Sequence, residues 1–380
     1  MTHLFFRRVD RYTLVGPVRE GGEDSMKAEE LDCLLIHTPK FDNWYKPLGD
    51  FIWINYLPIG IFALADLLVQ HGYSSKIVHL GIEWIEDHNF NVIDFLRENK
   101  AKVVALSLHW HHQSYGVIKV AEAIKTNYPD LFILLGGFTA SYYHKEILEE
   151  FPFVDAIIRG EAEIPLLKLV EKLREKDRDL QDVPNLTWRR NGEIMENELS
   201  YVATEEDINR LRFTNIRLLK NHETYVNYVG HPFIWKKGFS KEQNFKKLSI
   251  GSKTFPLAIG RGCPMSCTWC SGSAVSQKFI TKRIKPIYRS TDKIIDSIKE
   301  ALGYGYETMY VVFDPFPEKQ EFFVDLFARI REEKIRCEMI FECHGLPTKT
   351  FIDAFHDTFP NKESFLCISP ETGSERLRKI

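Results

Sequence analysis

Phe255-Pro256-Leu257-Ala258-Ile259 reads as a strand. It runs straight into Gly260-Arg261-Gly262-Cys263-Pro264-Met265-Ser266-Cys267-Thr268-Trp269-Cys270, a loop holding three of the seven cysteines. Gly260 and Gly262 let the backbone turn sharply between the two. Three thiolates from one short loop can hold three corners of an iron–sulfur cubane, where a ferredoxin supplies four, so one iron is left without a protein ligand. That position is open to a substrate or cosubstrate. A structural zinc site is the alternative, but it wants four ligands, commonly in Cys-x-x-Cys pairs, and no fourth Cys or His lies near in sequence. The remaining cysteines, Cys33, Cys337, Cys343 and Cys367, stand singly in apolar runs and are expected to be buried packing.

Downstream of the loop, strands and helices alternate: a helix over Thr291–Leu302 opened by Ser290, a strand Thr308–Phe313, a helix Lys319–Lys334, a strand Arg336–Glu342, a helix from Thr350 and a strand Ser364–Ser369. Upstream, the same rhythm runs through strands Leu31–His37, Lys76–Leu80, Val103–Leu108, Phe132–Leu135 and Ala156–Ile158, with helices between them and a helix C-cap at Gly72. Alternation of this kind predicts an α/β fold with right-handed crossovers and parallel, doubly wound sheet covered on both faces. Between Asp182 and Lys253 the rhythm lapses into a small hairpin, Leu186–Arg190 and Glu193–Met195 on a type I′ Asn191-Gly192 turn. The expected domains are an extension over 1–30, a doubly wound domain over 31–180, a connector over 181–250 and a partial (β/α) barrel over 251–380.

Composition narrows the function further. With 50 Lys and Arg against 53 Asp and Glu, the chain builds no broad positive field, so a nucleic-acid partner is not expected. No run reaches the apolar length of a membrane span and the N-terminus lacks a secretory core, so a cytoplasmic location is expected.

Cys-x-x-x-Cys-x-x-Cys with an aromatic before the last cysteine, placed after the first strand of a (β/α) barrel, resembles the radical S-adenosylmethionine superfamily. The resemblance implies a 4Fe-4S cluster on Cys263, Cys267 and Cys270, with the open iron chelating the amino and carboxylate groups of S-adenosylmethionine. One electron then cleaves that cosubstrate to a 5′-deoxyadenosyl radical, and a reducing partner such as flavodoxin or ferredoxin supplies the electron. Asp314, in Val312-Phe313-Asp314-Pro315-Phe316, stands at a strand end where barrel ligands bind. It is similar to the family's contact with the methionine amino group, although Asp-Pro also reads as a plain strand-ending turn. Glu342 and Glu371 match positions that face the ribose or amino group, and either acid would equally suit capping the next helix. Such barrels have six strands and only four precede Ile380, so the resemblance implies a segment of a longer protein.

The first domain resembles cobalamin-binding domains on three features: Leu57-Pro58-Ile59-Gly60 opening a helix that ends at His71-Gly72, Ser107 at a strand end, and the pair Leu134-Leu135-Gly136-Gly137 and Ile158-Arg159-Gly160-Glu161. Ligands of doubly wound sheets sit beyond the C-terminal strand ends, where Ser107, Gly136, Gly137, Gly160 and Glu161 fall. No Gly-x-Gly-x-x-Gly follows the first strand, which excludes a dinucleotide fingerprint. His109-Trp110-His111-His112 also stands at a strand end, and metal ligation, contact with the corrin and a plain polar loop are all open readings. The loop after the first strand, Thr38 to Pro47, holds no histidine, and Asp87-His88 lacks the spacing of the histidine-on motif. Cobalamin is therefore expected base-off without a histidine ligand. The whole is similar to the cobalamin-dependent radical S-adenosylmethionine family. That similarity implies a methyltransferase acting on an unactivated carbon or phosphorus centre of a small, natural-product-like substrate. Rearrangement and oxidative cyclisation are the alternatives within the family, and a non-catalytic cobalamin sensor is the alternative outside it.

Overall fold

The computed structural model describes residues 29–39, 57–87, 89–177, 179–229, 253–312, 319–368, 374 and 376. It forms two compact units, one of residues 1–203 with 211–225 and one of residues 204–210 with 226–380.

The first unit runs β1 (Glu29–His37), α1 (Gly60–Gln70), β2 (Ser75–His79), α2 (Leu80–Glu86), α3 (Val92–Glu98), β3 (Asn99–Ser107), α4 (Ser114–Asn127), β4 (Phe132–Gly136), α5 (Phe138–Tyr142), α6 (His144–Glu150), β5 (Ala156–Ile158), α7 (Glu163–Arg174), β6 (Leu186–Arg190) and β7 (Glu193–Glu196). Its sheet has the order β2-β1-β3-β4-β5-β6-β7, with β1 to β5 parallel and the last two strands antiparallel. Continuous apolar runs such as Leu34-Leu35-Ile36 are buried on both faces, as a covered parallel sheet requires. The strand order reverses between β1 and β3, which is the switch point where ligands of such sheets bind.

Three local features depart from the sequence reading. α2 and α3 fall in segments read as connections, because each is only seven residues long and rests on a side-chain cap. His79 Nδ1 accepts from Ile82 N at 3.3 Å, and Asn91 Oδ1 accepts from Ile93 N at 2.9 Å. The hairpin assigned to the connector turns on Asn191 (φ 51°) and Gly192 (φ 88°) as expected, yet β6 pairs with β5 and extends the first sheet. Buried Arg159 fastens it there, donating to Glu196 Oε1 at 2.6 Å and to the Asn197 carbonyl. The chain also returns to the opposite edge. Leu219 bridges to Ile77, Lys220 N donates to Ile77 O at 2.9 Å, and Lys220 and Asn221 hold the buried Glu83 carboxylate. This segment covers the outer edge of β2, which would otherwise offer unpaired backbone groups.

The second unit contains α8 (Glu205–Arg210), β8 (Thr254–Pro256), β9 (Gly260–Arg261), α9 (Ala274–Thr281), β10 (Ile287–Tyr288), α10 (Thr291–Gly303), β11 (Thr308–Val312), α11 (Gln320–Glu332), β12 (Glu338–Cys343), α12 (Lys349–Thr358) and β13 (Phe365–Ile368). Four strands form a parallel sheet in the order β13-β12-β11-β8. β8 is shorter than the run Phe255–Ile259, although Leu257 N still donates to Tyr310 O at 2.8 Å just past its end. Ser290 and Thr348 cap α10 and α12 by accepting from Lys293 N and Phe351 N. The helix-facing side of β12 buries Phe341 edge-on against Phe323 (4.9 Å between centroids) and Phe351 (5.2 Å). Phe341→Ala is expected to cost about 3–5 kcal/mol by leaving a cavity in this aromatic core. A urea titration of the parent and variant measures it. Of the single cysteines, Cys33 and Cys343 are buried, and Cys337 and Cys367 are half-buried. No described helix is long and apolar enough to cross a membrane.

Candidate functional site

The first region lies at the C-terminal strand ends of the first unit. Register puts His37 beside Ser107, Ser107 beside Gly136 and Gly136 beside Ile158, so the four ends finish in line. Hydrogen bonds knit them together. Leu108 N donates to Gly136 O at 2.8 Å, Ser141 Oγ donates to Gly137 O at 2.8 Å, and Gly160 N donates to Ser141 Oγ at 2.9 Å. Gly137 (φ 107°) is obligatory: a Cβ there would stand 2.8 Å from Leu108 O and 2.9 Å from the His109 backbone. A Cβ on Gly136 would meet nothing within 4 Å, so open space stands over this part of the sheet end. A bulky ligand can approach the backbone there, and these residues fit a corrin.

Two residues that sequence reasoning missed complete this region. Gln113 is fully buried; its Nε2 donates to Thr38 O at 2.7 Å and its Oε1 accepts from Trp110 N at 3.1 Å, tying the end of β1 to the loop after β3. Ser141 joins the ends of β4 and β5. Glu161, by contrast, is turned into the fold, where its carboxylate accepts from Ala203 N at 2.7 Å.

The three histidines separate in the structure. His111 and His112 are exposed, with ring centroids 3.8 Å apart, whereas His109 is half-buried against Trp110 and Phe138. Desolvation pulls its imidazole down to about 4, so it is neutral at pH 7. The unfolded chain therefore binds a proton between pH 6.5 and about 4 that the folded chain refuses, and His109 costs stability as pH falls through that window. The expected penalty is at most about 1.4 kcal/mol per pH unit. Melting curves from pH 7 to pH 4 should show a smaller acid loss in His109→Phe than in the parent.

The second region is the cysteine loop. β9 and β10 pair antiparallel, Gly260 beside Tyr288 and Arg261 beside Ile287, and clamp the loop at its root. Gly262 has φ 95°, and a Cβ there would stand 2.9 Å from Pro286 Cα. Buried Arg289 supports the same root, donating to Ala258 O at 2.8 Å and Ser297 Oγ at 3.0 Å. Cys263 is buried, Cys267 half-buried and Cys270 exposed. Met265 N donates to Cys263 Sγ at 3.4 Å and Gly272 N to Cys270 Sγ at 3.3 Å, the backbone support that thiolate ligands accept. Among the described residues no three His, Cys, Asp or Glu side chains converge on a single ion. A cubane binds each thiolate to a different iron and needs no such convergence. The donor set and its amide support fit such a cluster.

On the sheet beyond the loop, Glu342 accepts from Tyr310 Oη at 2.5 Å, lies 3.8 Å from His344 Nε2 and sits in register with Cys367. Burial, followed by the Glu342 charge, raises the Cys367 thiol. Asp314 and Glu371 lie outside the described residues, as does His88.

Residues 55–170 match the B12 binding domain family. The chain is 22% identical over 299 residues to cytidylyl-2-hydroxyethylphosphonate methyltransferase of Streptomyces wedmorensis, covering 72% of this chain and 54% of that protein. It is 28% identical to hopanoid C-3 methylase of Methylococcus capsulatus, covering 77% of this chain and 49% of that one. The chain thus spans about half the length of these curated relatives. In fold it is similar to the radical S-adenosylmethionine methyltransferase TsrM from Kitasatospora setae, solved with tryptophan substrate and an S-adenosylmethionine analogue. The TM-score is 0.64 at 12% identity, over 91% of this chain and 60% of that one. Sequence and fold together bear out the resemblance read from the cysteine loop: this chain is similar to the cobalamin-binding radical S-adenosylmethionine enzymes.

Proposed function

We propose that this chain carries the cobalamin and cluster sites of a radical S-adenosylmethionine methyltransferase acting on an unactivated carbon or phosphorus centre of a small molecule. The observation that supports this best is the order of its parts along the chain: a domain that matches the B12 binding family, followed in sequence by a three-cysteine loop after the first strand of a parallel sheet. When bound, the cluster and S-adenosylmethionine supply a hydrogen-abstracting radical and methylcobalamin supplies the methyl group. Cys263, Cys267 and Cys270 hold three irons and leave the fourth for the cosubstrate. Tyr310 fixes Glu342, so that its carboxylate meets the cosubstrate in one orientation. Gly136, Gly137 and Gly160, with Ser107, keep the sheet end low enough for the corrin to lie against it. Asp314 and Glu371 are assigned to the cosubstrate as well.

Mass spectrometry of the products made by the anaerobically reconstituted, reduced protein tests the reading. S-adenosylhomocysteine together with 5′-deoxyadenosine supports methyl transfer. 5′-Deoxyadenosine alone points to rearrangement or cyclisation, and neither product points to a cobalamin-binding sensor.

A further inference from the structure

One face of α9 differs from the rest of the surface. Val275, Lys278 and Phe279 follow the spacing i, i+3, i+4 and are exposed, as is Lys282 at the left-handed C-cap of the helix. Val275 is 63% and Phe279 70% exposed; Trp269, between two of the cluster cysteines, is 73% exposed, and Ile284, two residues past Lys282, is 72% exposed. Large apolar side chains exposed this close together along the chain point to an interaction site. Along the chain, the charge around them has a single sign. The chain has 53 Asp and Glu in 380 residues, about one in seven, yet residues 243–291 contain none while holding nine Lys and Arg. Lys278, Lys282 and Lys285 of that stretch are exposed beside the apolar group.

We propose that this face of α9, with Trp269 and Ile284, docks an acidic one-electron donor protein of the flavodoxin or ferredoxin type. The inference rests on the proposed function, in which the cluster takes up one electron and the donor is oxidised by one. Electron entry needs a short path, and α9 begins against the exposed Cys270, whose carbonyl accepts from Ser276 Oγ at 3.2 Å. Exposed apolar side chains interleaved with lysines suit a transient protein interface, and the lysines steer an acidic partner into it. Single-stranded nucleic acid would also be drawn to lysines beside Trp269 and Phe279, and the test below separates it from an acidic protein.

The test uses the holoprotein and measures the rate at which photoreduced flavodoxin reduces the cluster, with dithionite as a small-molecule control. In the parent the flavodoxin rate should fall at least tenfold between about 50 and about 500 mM salt. In the triple variant Lys278→Glu, Lys282→Glu, Lys285→Glu it should fall by a similar factor at low salt, and dithionite should reduce both proteins equally. Phe279→Ser should weaken flavodoxin binding while leaving its salt dependence in place. Equal flavodoxin rates in parent and triple variant overturn the proposal, as does tighter binding of an oligothymidine than of flavodoxin at the same salt. A protein without a dithionite-reducible cluster contradicts the proposed function instead. Calorimetric binding of flavodoxin to parent and triple variant then still decides the docking surface.

Discussion

Cys267→Ala is expected to leave anaerobic reconstitution colourless, with iron below about one atom per chain and no 5′-deoxyadenosine formed. Cys263→Ala and Cys270→Ala should do the same. Three thiolates are the fewest that hold a cubane with one open corner, so no ligand is spare. The loop offers no substitute. Its neighbours Met265 and Gly272 reach the sulfurs only through backbone amides, and no fourth Cys or His lies near in sequence. The loss should therefore be complete rather than graded, while the fold, built on the aromatic core around Phe341, keeps the melting temperature of the cluster-free parent. A full four-iron complement in any of the three variants would sink the assignment of ligands.

The second large effect concerns the lower face of the cobalt. A histidine donor in this position normally comes from the loop after the first strand and is oriented by a carboxylate. Thr38 and Pro39 begin that loop here, and the sequence to Pro47 has no imidazole to give. Cobalamin is then expected base-off with a non-nitrogen or vacant lower face, which favours the low-coordinate reduced cobalt that remethylation needs. Electron paramagnetic resonance of the cobalt(II) form measures this directly, because an axial nitrogen splits each parallel line into three. Unsplit lines are the expected result. If a triplet is seen and vanishes in His109→Phe, the half-buried, neutral imidazole at the end of β3 is the ligand and the expectation is wrong.

Much of this architecture is legible in the sequence for physical reasons. The parallel strands announce themselves as apolar runs because both of their faces are covered. The cluster loop announces itself because its cysteine spacing is fixed by the geometry of one cofactor. Apart from the short, locally capped α2 and α3, what escapes is held by contacts distant in sequence. Gln113 reaches Thr38 across 75 positions and Gly160 leans on Ser141 across 19, and neither polar residue carries a local pattern. The hairpin turn is readable from Asn191-Gly192, yet its place on the first sheet depends on Arg159 meeting Glu196. Glu161 stands at a strand end as a ligand would, and its carboxylate also holds Ala203, a contact that no local pattern announces.

Metal analysis of the protein reconstituted anaerobically with iron, sulfide and hydroxocobalamin, then gel-filtered, tests most directly whether one chain carries both sites. The account predicts about four irons and one cobalt per chain, with the iron lost and the cobalt retained in Cys267→Ala. Stoichiometric zinc in place of iron, or cobalt that washes away from a folded protein, would contradict it.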